Sequence, residues 1–158
     1  MLIKLIENTG YKYDDTYRFC GYEHAHEIKP VKECGASDIG AFYLKCLDAW
    51  SVDTCSAAFR AKWSADNPSV GQCSITAALV HEFFGGEIAG LPLNGGGMHS
   101  FNRINGVIVD LASEQFGKNA LPDFADAVPV DPTALLSGGD KAARCALLRE
   151  RLGIAEAE

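Results

Sequence analysis

Two β-prone runs, His99–Ile104 and Val107–Leu111, stand on either side of the dipeptide Asn105-Gly106. Both central residues of a type I′ turn need positive φ, and its twist suits the flanking strands, so Asn-Gly between two such runs predicts a tight hairpin. A two-residue loop also sets the register. Ile104 falls opposite Val107 and Arg103 opposite Ile108. Continued outward, Phe101 faces Asp110 and His99 faces Ala112, which puts Asp110 on the His99 face and diagonal to it. Diagonal neighbours lie roughly 7–8 Å apart, within reach of two side chains. The other face carries Ile104, Val107, Val109 and Leu111. A slip of one residue would push Asp110 among those apolar groups, so burial pins the register.

The next restriction is the stretch Cys73–Phe84, bounded by Gly71 before and Gly85-Gly86 after. Ile75, Ala77, Ala78, Leu79, Val80, Phe83 and Phe84 surround most of a helical circumference, the pattern of a buried central helix. Cys73 belongs to its first turn. The unsatisfied N–H groups and the positive dipole end favour a thiolate there, and the Cys73 N–H is an oxyanion donor. Gly71 leaves room for a substrate backbone, and Gln72 offers a side-chain amide beside the sulfur. A cysteine alone on a buried helix is usually a small hydrophobe. Joined to His99 and Asp110 it becomes a triad: Cys73 as nucleophile, His99 as general base and acid, Asp110 as the orienting carboxylate. Asp110 lies opposite the apolar hairpin face, so its removal is expected to open no hole in the core.

The rest of the chain reads more coarsely. Leu2–Ile6 suggests a strand, and Tyr11, Tyr13, Tyr17 and Phe19 a second. Ser37 is a plausible N-cap for a helix from Asp38 to Trp50. A further helical stretch is expected from about Asp53 to Trp63, then a loop through Gly71. Glu87–Pro92 suggests a short strand. Asn94–Gly97 is a flexible loop that would serve as a lid hinge or simply lead into the hairpin. Residues 117–137, with three prolines, suggest loop plus one short helix. Asp140–Leu152 is a terminal helix with Ala142, Cys145, Leu148 and Leu152 on one side. The expected fold class is α+β, a central helix on an antiparallel sheet of three to five strands. Residues 37–158 form the domain, and residues 1–36 are an extension packed on it.

With 158 residues, 47% of them hydrophobic, the chain can bury one substantial core. A net charge of −7 disfavours nucleic-acid and anionic-membrane binding, which need a basic face. No apolar run approaches the roughly 20 residues that span a bilayer, and no secretory signal is recognisable, so the cytoplasm is the expected compartment. Its reducing environment makes the six cysteines free thiols by default. Cys20, His24, His26 and Cys34 have metal-ligand side chains, but their spacing fits no standard zinc pattern, and solvated loop residues are expected. No metal or organic cofactor is required. Arg103, on the His99 face, is a candidate for a substrate carboxylate. Asn67, Asn102 and Trp63 either shape the cleft or cap and pack, and His81 is a structural histidine.

Gly71-Gln72-Cys73-Ser74-Ile75-Thr76-Ala77 resembles the Gly-x-Cys-x-x-x-Ala nucleophile motif of transglutaminase-like proteins. From Ala49 to Phe116 the chain more closely resembles the YunG-like family of small bacterial proteins. Ala49-Trp50-Ser51, Trp63 through Ser69, Gly71-Gln72-Cys73, Phe84-Gly85-Gly86-Glu87, His99 through Arg103, Val109-Asp110-Leu111 and Gln115-Phe116 carry that likeness, and Arg144 through Leu152 resembles the family's closing helix. The resemblance implies a papain-like cysteine fold and no particular substrate. The expected activity is hydrolysis or transfer at an amide or ester of a small-molecule, peptide or protein substrate. The competing expectation is a binding or regulatory module that keeps the Cys/His pair without turnover. A cleft filled by bulky side chains, or His99 turned away from Cys73, would favour it.

Overall fold

Helix α2 (Cys73–Phe84) is the element around which the others are laid. It starts where the chain makes a turn at Gly71 and ends at Gly85, whose φ of 77° closes it. The computed structural model describes residues 19–93, 97–117 and 124–154. The strands expected at Leu2–Ile6 and Tyr11–Tyr17, and most of the Asn94–Gly97 loop, lie outside the described residues.

The fold is α+β. Strands β1 (Glu87–Pro92), β2 (Met98–Ile104), β3 (Val107–Val109) and β4 (Val128–Val130) form one antiparallel sheet in the order β3-β2-β1-β4. Helices α1 (Ile39–Ala49) and α4 (Lys141–Arg151) and the short α3 (Pro132–Leu135) complete the set. Asn102 Nδ2, on β2, donates to the Ala77 carbonyl of α2 at 3.0 Å and ties helix to sheet. Ile39, Phe42 and Tyr43 of α1, Leu79, Val80 and Phe83 of α2, Ile104 and Val109 of the hairpin and Leu148 of α4 close one core. A second apolar cluster, Ala89, Leu91, Phe101 and Phe116, includes the β2 face that carries His99 and Phe101.

The hairpin register agrees with expectation at its tip, with Ile104 opposite Val107 and Arg103 opposite Ile108. It ends sooner than expected, at Asn102 opposite Val109. Asp110 does not face Phe101, nor His99 Ala112. Asp110 pairs instead with Cys20, its N–H donating to the Cys20 carbonyl at 3.0 Å. The reason is local. Asp110 opens a turn in which its Oδ1 accepts from Ala112 N and its carbonyl accepts from Ser113 N, and a turn cannot continue a ladder.

Other expectations need adjustment. Asp38, not Ser37, caps α1, its side chain accepting from Ala41 N. The helix expected over 53–63 is a six-residue 3-10 segment, Ala57–Lys62, with none of its residues buried, so no packed face draws it into a longer helix. The fourth strand was not anticipated, because Val128-Pro129-Val130 is short and proline-bearing; it sits at the sheet edge, where a missing N–H is tolerated. Residues 19–36 do more than pack on the domain. Phe19, Ala25, Ile28 and Cys34 lie in the main core, and Val31 N–H donates to Phe83 O at 2.8 Å. All six cysteines are free thiols. No helix among the described residues is long and apolar enough to cross a membrane.

Candidate active site

Three elements bring the site together: the first residue of α2, the second residue of β2 and the turn after β3. Their side chains are Cys73, His99 and Asp110. His99 has no solvent exposure and Asp110 only 1%. His99 Nε2 donates to Asp110 Oδ2 at 2.7 Å, a short charge-assisted bond. Phe116 meets the imidazole edge-on at 4.5 Å between ring centres, and Phe101 stacks at 6.1 Å. These contacts hold the ring in one plane. Nδ1 is left buried with no conventional hydrogen-bond partner.

The group that couples to the ring from α2 is the Cys73 thiol. Cys73 is half-buried, its sulfur 3.9 Å from the Met98 carbonyl. Burial pushes its proton affinity up, but hydrogen bonding and charge from His99, helped by the Ser100 backbone, outweigh it, and the thiol lies below its ordinary value. His99 moves the other way. Burial disfavours its charged form, and the Asp110 carboxylate and the Cys73 sulfur overcome this, raising the imidazole to about 10. Opposite shifts in one pair are the signature of a thiolate and an imidazolium that stabilise each other.

The remaining candidates separate. Gly71 lines the cleft beside Cys73. Its need for glycine is internal, however: φ is +72°, and a Cβ would stand 2.4 Å from Cys55 Sγ. The space sequence reasoning reserved for substrate is taken by Cys55 and Ser56. Gly71→Ala is therefore expected to cost about 2 kcal/mol and lower the melting temperature by roughly 4–8 °C; an unchanged thermal midpoint would discard this account. Gln72 is fully buried, and its Nε2 donates to the Ser51 carbonyl at 3.0 Å, so the side chain anchors the start of α2 and does not line the cleft. Asn67 is also fully buried away from the cleft, its amide without a partner among the described residues. Arg103 lies at the turn end of β2, 3.8 Å from Glu87 and outside the cleft lining. Four residue steps along β2, about 13 Å, separate it from His99. Trp63 Nε1 donates to the Pro68 carbonyl, and His81 Nδ1 to the Gly86 carbonyl, both local structural bonds. Among the described residues no group of three or more His, Cys, Asp or Glu is placed to hold a metal; His24 and His26 contact neighbouring glutamates instead.

Cys73 opens onto a cleft of about 360 Å³, within the range of small-ligand sites. Several of its residues were missed in the sequence: Phe59, Met98, Lys141 and Arg144. The interval pattern of α4 could have raised Arg144. Arg144 and Arg149 are buried while Ala142, expected on the inner side, is exposed, so the buried face is rotated from the expected one.

The sequence model of the family described as YunG protein matches residues 41–155. The chain belongs to the YunG family. It is 44% identical over 55 residues to the uncharacterized protein YunG of Bacillus subtilis (strain 168), a segment covering 35% of this chain and 47% of that protein, about half its length. No solved structure matches the chain. The family span contains Cys73, His99, Asp110 and the cleft residues on α4. Cys20, whose backbone holds Asp110, lies outside it.

Proposed function

We propose that this YunG-family chain is a cysteine-dependent acyl hydrolase or acyltransferase acting at an amide or ester. The observation that supports it is the state of His99: one ring nitrogen bonded to a buried carboxylate at 2.7 Å, the other left to the thiol at the head of α2. The reading of the fold as papain- or transglutaminase-like rests on the same three residues in the same chain order. In the reaction the Cys73 thiolate attacks the carbonyl carbon and the carbonyl electron pair moves to oxygen. First-turn N–H groups of α2, which no side chain caps, face that charge. The imidazolium gives its proton to the departing amine or alkoxide, leaving a thioester. Neutral His99 then takes a proton from water or a second nucleophile, which attacks the thioester and restores the thiol. Asp110 keeps the ring oriented through both transfers. An open cleft beside the sulfur favours turnover over a module that only binds.

The test is acylation itself. A simple nitrophenyl ester is expected to give a burst of about one nitrophenolate per chain, with the acyl group recovered on Cys73 by peptide mapping. Cys73→Ala is expected to abolish the burst. Acyl recovered elsewhere, or a burst retained in Cys73→Ala, would refute the reading.

A further inference from the structure

In a chain of net charge −7, the charged side chains lining the cleft are both cations, Lys141 and Arg144. Arg144 is only 4% exposed. Its Nε donates to Asp140 Oδ1 at 2.9 Å and its Nη1 to the Thr54 carbonyl at 2.9 Å. Nη2 has no hydrogen-bond partner among the described residues, although its guanidinium borders the cleft. A guanidinium buried to this degree normally uses all its donors. Lys141, three residues earlier and half-buried, has no ion-pair partner among the described residues and shares that helix face. Both belong to the first turns of α4, an eleven-residue helix. Asp140 occupies the N-cap position but does not cap. Its carboxylate turns to Arg144 and to the exposed Arg60, so no side chain hydrogen-bonds the first-turn N–H groups. A positive helix end is added to the two side chains.

The rest of the wall is mostly apolar, with Phe59, Leu93, Met98 and Leu135 beside three serines and Gln115. We propose that the substrate of Cys73 is an acyl compound with a free carboxylate, joined to the reacting carbonyl by a short apolar chain and held by Lys141 and Arg144. This deepens the acyl-transfer reading and rests on it. A carboxylate suits the charge count. Lys141 and Arg144, with Arg60 sharing the Asp140 carboxylate, outnumber that one carboxylate and leave the site net positive, which suits an anion. A guanidinium edge and an ammonium also present donors to the two oxygens of a planar acceptor.

Two alkylating reagents with the same warhead test this without requiring turnover. N-bromoacetyl-β-alanine ends in a carboxylate, and N-bromoacetyl-β-alaninamide is its neutral isostere. Wild-type protein is expected to be labelled at Cys73 about tenfold faster by the acid than by the amide in low salt. The acid-to-amide ratio should fall toward one in Lys141→Gln and drop below one in Lys141→Glu, and added salt should erode it. A wild-type ratio of one or less, or a ratio unmoved by both substitutions, overturns the proposal. If the amide labels Cys73 readily without such a preference, the anion site alone is wrong. If neither reagent labels Cys73 ahead of the other thiols, the nucleophile assignment fails and this proposal with it.

Discussion

Limiting iodoacetamide near neutral pH is expected to alkylate Cys73 before any of the other five cysteines, by about tenfold or more over Cys20 and Cys55. Burial raises Cys20 to about 12 and Cys55 to about 11, and it also raises Cys34, Cys46 and Cys145. Cys73 alone among the six is lowered, because His99 offsets its burial. Each pKa unit changes the neutral-pH thiolate fraction about tenfold, and the weaker nucleophilicity of a low-pKa thiolate returns about half of that on a logarithmic scale. Even after this discount Cys73 leads. Its alkylation should reach half its maximum below the ordinary thiol value of 9, and the imidazolium partner should persist until the pH nears about 10. Peptide mapping after partial labelling reads the order directly. Preferential labelling of Cys20, the other cysteine that is not fully buried, would remove Cys73 as the nucleophile.

Asp110→Asn is expected to slow Cys73 alkylation near neutral pH about tenfold or more, while the melting temperature shifts by only a few degrees. The carboxamide can still accept from Ala112 N–H, which Asp110 Oδ1 does at 3.2 Å. What disappears is the charge facing a ring with no exposure to solvent. Burial then disfavours the imidazolium unopposed, the ring becomes neutral, and Cys73 loses its counter-ion. Its alkylation profile should move to higher pH. Asp110→Ala differs: the sequence leads to the expectation that removal opens no hole in the core, and the structure adds the hydrogen bonds that removal would break. Asp110 is buried and accepts from a backbone N–H as well as from His99. Alanine leaves those donors unsatisfied at roughly 1–3 kcal/mol each, so loss of stability accompanies loss of reactivity. An Asparagine variant with a wild-type alkylation profile would reduce the site to a Cys–His pair.

Much of the site was legible from local chemistry. The Asn105-Gly106 turn and the apolar face of Ile104 and Val109 set which strand positions share a side. The helix from Cys73 to Phe84 begins and ends where its glycines and apolar periodicity place it. These features depend on neighbours a few residues apart, which is why the proximity of His99 and Asp110 is legible in the sequence. The bond between them forms even though the ladder does not extend as far as expected, because Asp110 leaves the strand and turns toward the ring.

The candidates that failed share a different cause. Arg103 has the right parity along β2 but the wrong distance, and Gln72 has the right neighbour but a competing carbonyl at Ser51. Side-chain type and spacing cannot say which of several partners a polar group finds. Sequence by itself determined the central helix, the hairpin and its turn, and that His99 and Asp110 share a side of it, since each follows from backbone preference and burial over a short range; the joining of Cys73 to that pair depends on how α2 packs on β2. Only the tertiary structure decided that residues 19–36 enter the core, that Cys20 holds Asp110, that Gly71 yields to Cys55, and that Lys141 and Arg144 border the cleft. Those contacts join segments from 16 to 90 residues apart in the numbering, such as Gly71 with Cys55 and Arg144 with Thr54. Such pairings are settled by the packing of whole elements, whose shape complementarity leaves no periodic trace in the chain.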